Sequence, residues 1–291
     1  MSFIQKIKLE YYKGNNLNKI IFINIGVFLL FNLLVLLDFF FGSKLSSWFF
    51  YLTLPANIQT LFSHPWTLLS YMFLHTSFFH ILFNLLWLHF GSKIFLIYLN
   101  NKQLLSTYIL GGLSGGLLFI LSYNFIPALS IIRDQAIALG ASAAVYSIVV
   151  AATTNTPNSL IQIPFIGNVK LKFIVIILLL LDFISIPKGN AGGHIAHIGG
   201  AIFGYFYIVR LKNGYDLSIN FYKFLNLIRN TFKQKNKIKR VHKRPISDYD
   251  YNIKRAEKQK EIDKILEKIS KSGYSSLSSE EKEKLFKASK K

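Results

Sequence analysis

Long apolar stretches alternate with short polar connections over the first 211 residues of the chain. A helix needs about 20 mostly apolar residues to cross a bilayer, because no water is present there to satisfy exposed backbone groups. Six stretches approach that length, at approximately residues 19–41, 67–90, 103–125, 137–153, 173–186 and 191–211. The last three are short or rich in glycine and histidine, and their regular spacing along the chain supports their assignment as spans. The pattern predicts an all-α membrane protein with six spans.

The connection between the first two stretches, residues 42–65, is long and aromatic. Its apolar side chains include Trp48, Phe49, Phe50, Tyr51, Leu52 and Leu54. Aromatic rings are favoured at the membrane–water interface. We therefore expect a structured element that lies in the interface rather than a flexible linker.

A helical period returns near the end of the chain. Apolar residues predict one helix that Gly273 ends, and Ser278 with Glu281 forms a capping box before a second. The apolar positions are Ile262, Ile265, Leu266 and Ile269, followed by Leu285 and Phe286. The predicted organisation is an N-terminal segment (1–18), a membrane domain (19–211), a basic linker (212–256) and a small helical module (257–291).

Composition sharpens this division. Hydrophobic residues make up 52% of the chain and charged residues only 16%, against roughly a quarter charged in an ordinary soluble domain. The apolar content excludes a disordered chain, and the absence of cysteine excludes a disulfide framework or a thiolate zinc site. Of the 34 basic and 14 acidic residues, 23 and 10 fall in residues 210–291. The net charge of +20 is therefore concentrated in the tail.

Lysine and arginine in short loops mark the cytoplasmic side of a membrane protein. With the N-terminus inside, eight basic residues precede the tail on the inner side: Lys6, Lys8, Lys13, Lys19, Lys93, Lys102, Lys170 and Lys172. The outer loops carry three, namely Lys44, Arg133 and Lys188. Both termini are therefore predicted to be cytoplasmic.

The basic tail suggests two kinds of partner. Cationic segments beside a span are attracted to anionic lipid headgroups. Nucleic-acid binding is the alternative, but no recognition motif accompanies the charge. We expect anionic lipids, and no nucleic acid, to contact the tail.

Polar side chains inside apolar spans are costly and often functional. Five of the seven histidines lie in or beside the predicted spans: His75, His80, His89, His194 and His197. Any one of them is as often a structural residue as a functional one. His80 and Asn84 are four residues apart, so they share one face of the second span.

Small residues surround two further polar side chains. Ser142 follows Gly140 in the fourth stretch, where the small neighbours allow another helix to approach closely. His197 precedes Gly200 and Gly204 in the sixth stretch, and these glycines form a suitable partner surface. If the two surfaces pack, Ser142 and His197 come within reach of each other.

A serine beside a histidine is the minimum unit of nucleophilic acyl transfer. The imidazole accepts the hydroxyl proton during attack and returns it to the leaving group. The remaining need is a set of donors for the developing oxyanion, which His80, Asn84 and the backbone N–H of Ser142 can supply.

These segments resemble the motifs of the rhomboid family of intramembrane serine proteases, over about residues 19–211. His80-Ile-Leu-Phe-Asn84 resembles HxxxN, Gly140-Ala-Ser142-Ala143 resembles GxSx, and Ala196-His197-Ile-Gly-Gly200 with Gly204 resembles AHxxGxxxG. Each motif alone is weak, but together and in the family's order they are specific. The C-terminal helices resemble the small module on rhomboids of Bacteroidetes-type bacteria.

The resemblance implies a role for each residue of the site. Ser142 is the expected nucleophile and His197 the base of a Ser–His dyad, while His80, Asn84 and the Ser142 backbone form the oxyanion hole. Tyr146 matches the aromatic residue on which the family's histidine stacks. No metal or cofactor is expected. Gly140, Gly200 and Gly204 are supporting positions.

The chain departs from the family pattern at two positions. Ala143 stands where glycine is commonest, which narrows the space beside the nucleophile. Thr67 follows Trp66 in the first outer loop, where an arginine is frequent, so the anchoring of that loop is expected to differ.

Other assignments of the polar residues are weaker. His194 competes with His197 as the base, but only His197 has glycine three and seven residues later. Asp182 invites a Ser–His–Asp triad, although the family works as a dyad and we expect Asp182 to be satisfied near an interfacial helix end. A metal site is disfavoured, because HExxH is absent and we expect no carboxylate near His194 and His197.

The sequence thus predicts a serine endopeptidase in the inner membrane of a bacterium, acting on single-span membrane proteins. The alternative is a non-catalytic rhomboid-like module that binds transmembrane clients. A transporter is a weaker third interpretation, since no inverted repeat with broken helices is visible.

Overall fold

The computed structural model describes Gln5 and residues 15–163, 167–232 and 247–289. The chain is mainly helical and divides into two compact units, Met1–Lys233 and Gln234–Lys291. The helices of the first unit are α1 (Asn16–Phe41), α2 (Ile58–Ser63), α3 (Thr67–Ser70), α4 (Phe78–Tyr98), α5 (Asn101–Phe125), α6 (Pro127–Ser130), α7 (Ser142–Asn155), α8 (Leu171–Ser185), α9 (Ala191–Lys212) and α10 (Leu217–Phe232). Short 3-10 turns cover Leu45–Leu52, Tyr71–Phe73 and Ile186–Lys188.

Four predicted stretches coincide with helices. The bounds of α1, α5, α8 and α9 lie within three residues of the predicted ends. Among the described residues, α1, α4 and α5 are long and apolar enough to cross a membrane.

The second stretch is not one continuous helix. The prediction of one span over residues 67–90 is wrong, because residues 67–73 form α3 and a separate 3-10 turn, and α4 begins only at Phe78 and continues to Tyr98. Ser77 caps it, since its hydroxyl accepts the N–H of His80 at 3.3 Å. Hydropathy cannot detect such a cap, so it does not separate the apolar residues before Ser77 from the helix that follows.

The fourth stretch is shorter than predicted, for a related reason. Residues 137–138 form β2 (Ile137–Ala138), which pairs antiparallel with β1 (Leu54–Pro55). Gly140 then has φ +123°, a conformation that glycine adopts at low cost and that ends the extended segment. The helix α7 therefore begins at Ser142 itself. A second antiparallel pair, β3 (Leu160–Ile163) with β4 (Gly167–Lys170), lies before α8.

The predicted packing of small residues is confirmed. Helix α7 is mostly buried and packs against α5 and α9. A Cβ added to Gly200 would meet the backbone of Ala143, and one added to Gly204 would meet the backbone of Ser147. On the other side, Gly115 of α5 faces the side chain of Ala143. The glycines thus allow three helices to meet at backbone distance around α7.

The first connection is structured, as expected. It contains the 3-10 turn, β1 and α2, and Ser70 Oγ donates to the carbonyl oxygen of Leu52 at 2.7 Å. Trp66 Nε1 donates to the carbonyl oxygen of Tyr51 at 2.9 Å. The tryptophan therefore anchors the loop although threonine follows it. Its position in the membrane interface stays a prediction.

The segment expected to be a basic linker contains α10, joined to α9 by a fixed turn. Asp216 accepts hydrogen bonds from Gln103 Nε2 at 2.9 Å, Tyr207 Oη at 3.2 Å and the N–H of Ser218 at 2.8 Å. Burial acts to raise the pKa of Asp216, but these hydrogen bonds outweigh it and lower the pKa. Residues 233–246 of the predicted linker lie outside the described residues.

The second unit contains α11 (Asp248–Ser272) and α12 (Ser279–Ser289), with a 3-10 turn at Tyr274–Ser276. The predicted stop and capping box are confirmed. Gly273 follows α11 with φ +76°, Ser278 N–H donates to Glu281 Oε2 at 2.7 Å, and Glu281 N–H donates to Ser278 Oγ at 3.3 Å. The first helix begins at Asp248, nine residues before the predicted start of the module.

Candidate active site

A cavity of about 630 Å³ lies among α4, α7, α8 and α9. Its walls are largely apolar, with a small polar lining. The polar residues that line it include His80, Asn84, Ser142, Tyr146 and His197. The structure thus brings these five sequence-predicted residues to one cavity.

Ser142 is the first residue of α7, directly after a tightly held turn. Gly140 N–H donates to the carbonyl oxygen of Tyr71 at 2.9 Å, and Ala141 N–H donates to His75 Nε2 at 3.4 Å. The first N–H groups of a helix have no partner within it and carry partial positive charge. Ser142 therefore offers a hydroxyl at a point that favours negative charge.

His197 lies on α9 and is held on one face by Tyr146. Their rings are nearly parallel, with an interplanar angle of 12° and centroids 4.5 Å apart. Tyr146 lies one turn after Ser142 on α7. The same helix therefore carries the hydroxyl and the ring that orients the imidazole.

His80 and Asn84 line the cavity from α4. A Cβ added to Gly140 would lie 2.8 Å from His80 Nε2 and 3.7 Å from Ser142 Oγ, so the His80 ring is beside the turn that carries Ser142. Asn84 is 7% exposed, and its Nδ2 donates to the carbonyl oxygen of His80 at 2.9 Å. An amide nitrogen has two hydrogens, so a second is available to a ligand in the cavity.

Asp182 lies beside His197, as in the triad interpretation that the family pattern disfavours. We expected snorkelling or a local hydrogen bond near a helix end, but Asp182 is only 6% exposed, so the snorkelling interpretation is wrong. Its Oδ1 accepts from His197 Nδ1 at 2.9 Å and from His194 Nδ1 at 2.7 Å. The sequence signal was the single acidic residue in an apolar stretch, and the sequence does not say which helix such a residue faces.

These three residues also correct the argument about metals. The Asp182 carboxylate does lie near both histidines, and one ligand atom from each residue falls within 4.8 Å of the others. Carboxylate and imidazole are ligands that zinc accepts. In the structure both imidazoles use the atoms concerned for hydrogen bonds to Asp182.

His194 and His197 differ in what they face. Both bind Asp182, but only His197 is among the residues that line the cavity. The glycine spacing and the cavity therefore favour the same histidine.

Other predicted residues have structural surroundings. The side chain of Ala143 faces Gly115 of α5, so the carbon added relative to glycine is accommodated in helix packing. His75 is 2% exposed and accepts the Ala141 N–H, and His89 is exposed. The burial and the hydrogen bond of His75 support a structural role for it.

Comparison with known families gives two matches. A family model described as the Rhomboid domain matches residues 63–213, more than half of the chain. A second, described as a family of unknown function (DUF6576), matches residues 247–291. No curated protein matches the chain.

Proposed function

The chain belongs to the rhomboid family, and on this premise we propose that it is an intramembrane serine endopeptidase. Its substrates are membrane proteins with a single span, cleaved within or next to that span. The observation that carries the proposal is a serine at the start of a helix that shares one cavity with a histidine stacked on Tyr146.

The proposed chemistry is acyl transfer in two steps. Ser142 Oγ attacks the scissile carbonyl carbon while its proton passes to His197 Nε2, which then gives it to the leaving amine. Water then attacks the acyl-enzyme while His197 Nε2 takes its proton, and His197 returns that proton to Ser142 Oγ as the acyl group leaves. Ser142 N–H, His80 and Asn84 donate hydrogen bonds to the oxyanion.

We propose that this chemistry takes place inside the bacterial inner membrane, in a bundle of six spans with both termini in the cytoplasm. The shorter helices α7 and α8 and the glycine-rich α9 complete the six. Helices α4 and α8 both line the cavity, and between them a substrate span could approach laterally. Outward-facing apolar residues on α8, such as Leu181 and Phe183, suit contact with lipid.

Substitution of the two reacting groups tests the proposal. We expect Ser142→Ala and His197→Ala each to abolish cleavage of a model single-span substrate in reconstituted vesicles, with folding intact. Ser147→Ala is the matched control, because Ser147 lies on the same helix but does not line the cavity. Full activity of Ser142→Ala would contradict the assignment of the nucleophile.

The rival function is a module that binds transmembrane clients without cleaving them. A fluorophosphonate probe separates the two, since an activated serine attacks its phosphorus, fluoride leaves, and the serine becomes phosphonylated. We expect labelling of the wild type and none of Ser142→Ala. Client binding without labelling of either protein would favour the rival function.

We also propose that α10 contacts anionic lipids at the cytoplasmic surface. The helix follows α9 directly and exposes apolar side chains, including Phe224, Leu227 and Ile228. It also carries Lys223 and Arg229. Apolar and basic residues on one helix are typical of segments that lie in the interface.

Charge reversal on α10 tests the lipid contact. We expect Lys223→Glu with Arg229→Glu to lower the binding of labelled phosphatidylglycerol to the full-length protein in detergent, because two attractions become repulsions. Lys188→Glu, on the predicted outer side, should bind like the wild type. Loss of RNA binding instead of lipid binding would indicate the nucleic-acid alternative.

A further inference from the structure

Asp182 is a buried carboxylate of α8 whose nearest neighbours in the sequence are apolar side chains that face outward. Its neighbours Leu180, Leu181, Phe183 and Ile184 are all exposed, whereas Asp182 is 6% exposed. A carboxylate removed from water needs strong partners to remain ionised. The partners are the two histidines of α9.

The hydrogen bond to His197 determines which ring nitrogen is free. An ionised carboxylate can only accept, so Nδ1 of His197 must carry the hydrogen of the 2.9 Å contact. A neutral imidazole with its hydrogen on Nδ1 has its lone pair on Nε2. A general base for Ser142 needs that form of the ring.

The geometry points to Asp182 as a positioning residue for the proposed base, so that the site works as a Ser–His–Asp triad rather than a dyad. This inference rests on the proposed function. When the Ser142 proton moves to His197 Nε2 and the bond from Oγ to the carbonyl carbon forms, Asp182 stays ionised and stabilises the imidazolium. It does not take up the proton itself.

Two further contacts fix the same arrangement. Tyr146 stacks on the His197 ring, with the two rings nearly parallel. His194 donates to the same Oδ1 from one turn earlier on α9. The Asp182 carboxylate of α8 is thereby bound to two residues of α9. The His197 ring is held at Nδ1 by Asp182 and on its face by Tyr146.

Replacing Asp182 by asparagine tests the role with little change in volume. The amide can donate as well as accept, so it no longer requires the hydrogen on Nδ1. We expect Asp182→Asn to lower kcat roughly 10²- to 10⁴-fold, as loss of the carboxylate does in a known triad. KM for the model substrate should change little, and the rate of fluorophosphonate labelling should fall with kcat.

Two other variants separate positioning from packing. Asp182→Glu keeps the charge and should recover part of kcat. Asp216→Asn makes the same change at a hydrogen-bonded carboxylate that does not line the cavity, and it should keep kcat within a few-fold of the wild type. The thermal midpoint of each variant in detergent shows whether it is folded.

The outcomes are distinguishable. Wild-type kcat in folded Asp182→Asn, or equal losses of kcat in Asp182→Asn and Asp216→Asn that follow their thermal midpoints, overturns the positioning role. If Asp182→Asn keeps the wild-type kcat while Ser142→Ala is inactive, the proposed protease function still holds and only the triad is wrong. If the wild type neither cleaves the substrate nor reacts with the probe, both the function and the triad are wrong.

Discussion

Asn84 and His80 both line the cavity from α4, and both can donate hydrogen bonds. If they hold the oxyanion, their contribution appears mainly in the transition state, because the charge develops there. We predict that Asn84→Ala and His80→Ala each lower kcat by roughly 10- to 10³-fold and change KM less. Steady-state cleavage of the model substrate measures both constants.

Asn32→Ala is the matched control for Asn84→Ala. Asn32 makes the same kind of bond along its own helix, from Nδ2 to the carbonyl oxygen of Phe28 at 2.9 Å, but it does not line the cavity. Equal losses in Asn32→Ala and Asn84→Ala would assign Asn84 to helix stability and not to the oxyanion hole.

At this scale the sequence predicts the residues that belong to motifs, whereas it names Asp182 only as a disfavoured member of a triad. Ser142 and His197 stand beside glycines whose spacing has a physical meaning, since it marks close approach of helices. Asp182 stands in an apolar run without such neighbours. Its partner depends on how α8 is rotated relative to α9, which local sequence does not determine.

Helices α7 and α9 are in contact through their backbones at Gly200 and Gly204. A side chain at Gly200 would collide with the backbone of Ala143, which cannot move without displacing Ser142. We predict that Gly200→Ala lowers stability by about 1–3 kcal/mol or more and removes activity. Thermal unfolding in detergent and cleavage of the model substrate measure the two effects.

Gly26→Ala gives the comparison for this substitution. Gly26 lies in α1, and apart from its own helix no atom of the described residues lies within 4 Å of an added Cβ. Alanine is also the better helix former. Its stability should equal or exceed that of the wild type. A wild-type thermal midpoint for Gly200→Ala would contradict the close contact.

The elements themselves were predictable where one period runs through them. The apolar runs predict the bounds of α1, α5, α8 and α9 to within three residues, and the capping box predicts where α12 begins. The runs failed where a short backbone feature interrupts them. Ser77 and Gly140 are such features, and in both cases the true helix starts after the predicted one. The pairing of β1 with β2 joins residues about 80 positions apart, beyond the range of any periodicity.

The orientation of the whole molecule rests on its charges and can be tested directly. The natural chain has no cysteine, so a single introduced thiol reports its own location. We predict that Lys102→Cys reacts with a membrane-impermeant maleimide only after the cells are opened, whereas Lys44→Cys reacts in intact cells. Retained cleavage activity shows that each variant keeps its fold.

The opposite labelling pattern would reverse the topology. Reaction of both thiols in intact cells would mean that the two lysines share one side, so that the number of spans between them is even rather than odd. The charge asymmetry in the sequence predicts which side of the membrane each loop faces. Composition does not determine the number of spans, because α7 and α8 are shorter than a typical span.

That shortness has a consequence for the substrate. A helix of 14 residues such as α7 is about 21 Å long, while the hydrocarbon layer is about 30 Å thick. If α7 ends at the inner boundary of that layer, Ser142 lies about 9 Å beneath the outer one. At a rise of about 1.5 Å per residue, this depth corresponds to about six residues of a substrate helix. The length of one short helix would then set how far inside its outer boundary a client protein is cut.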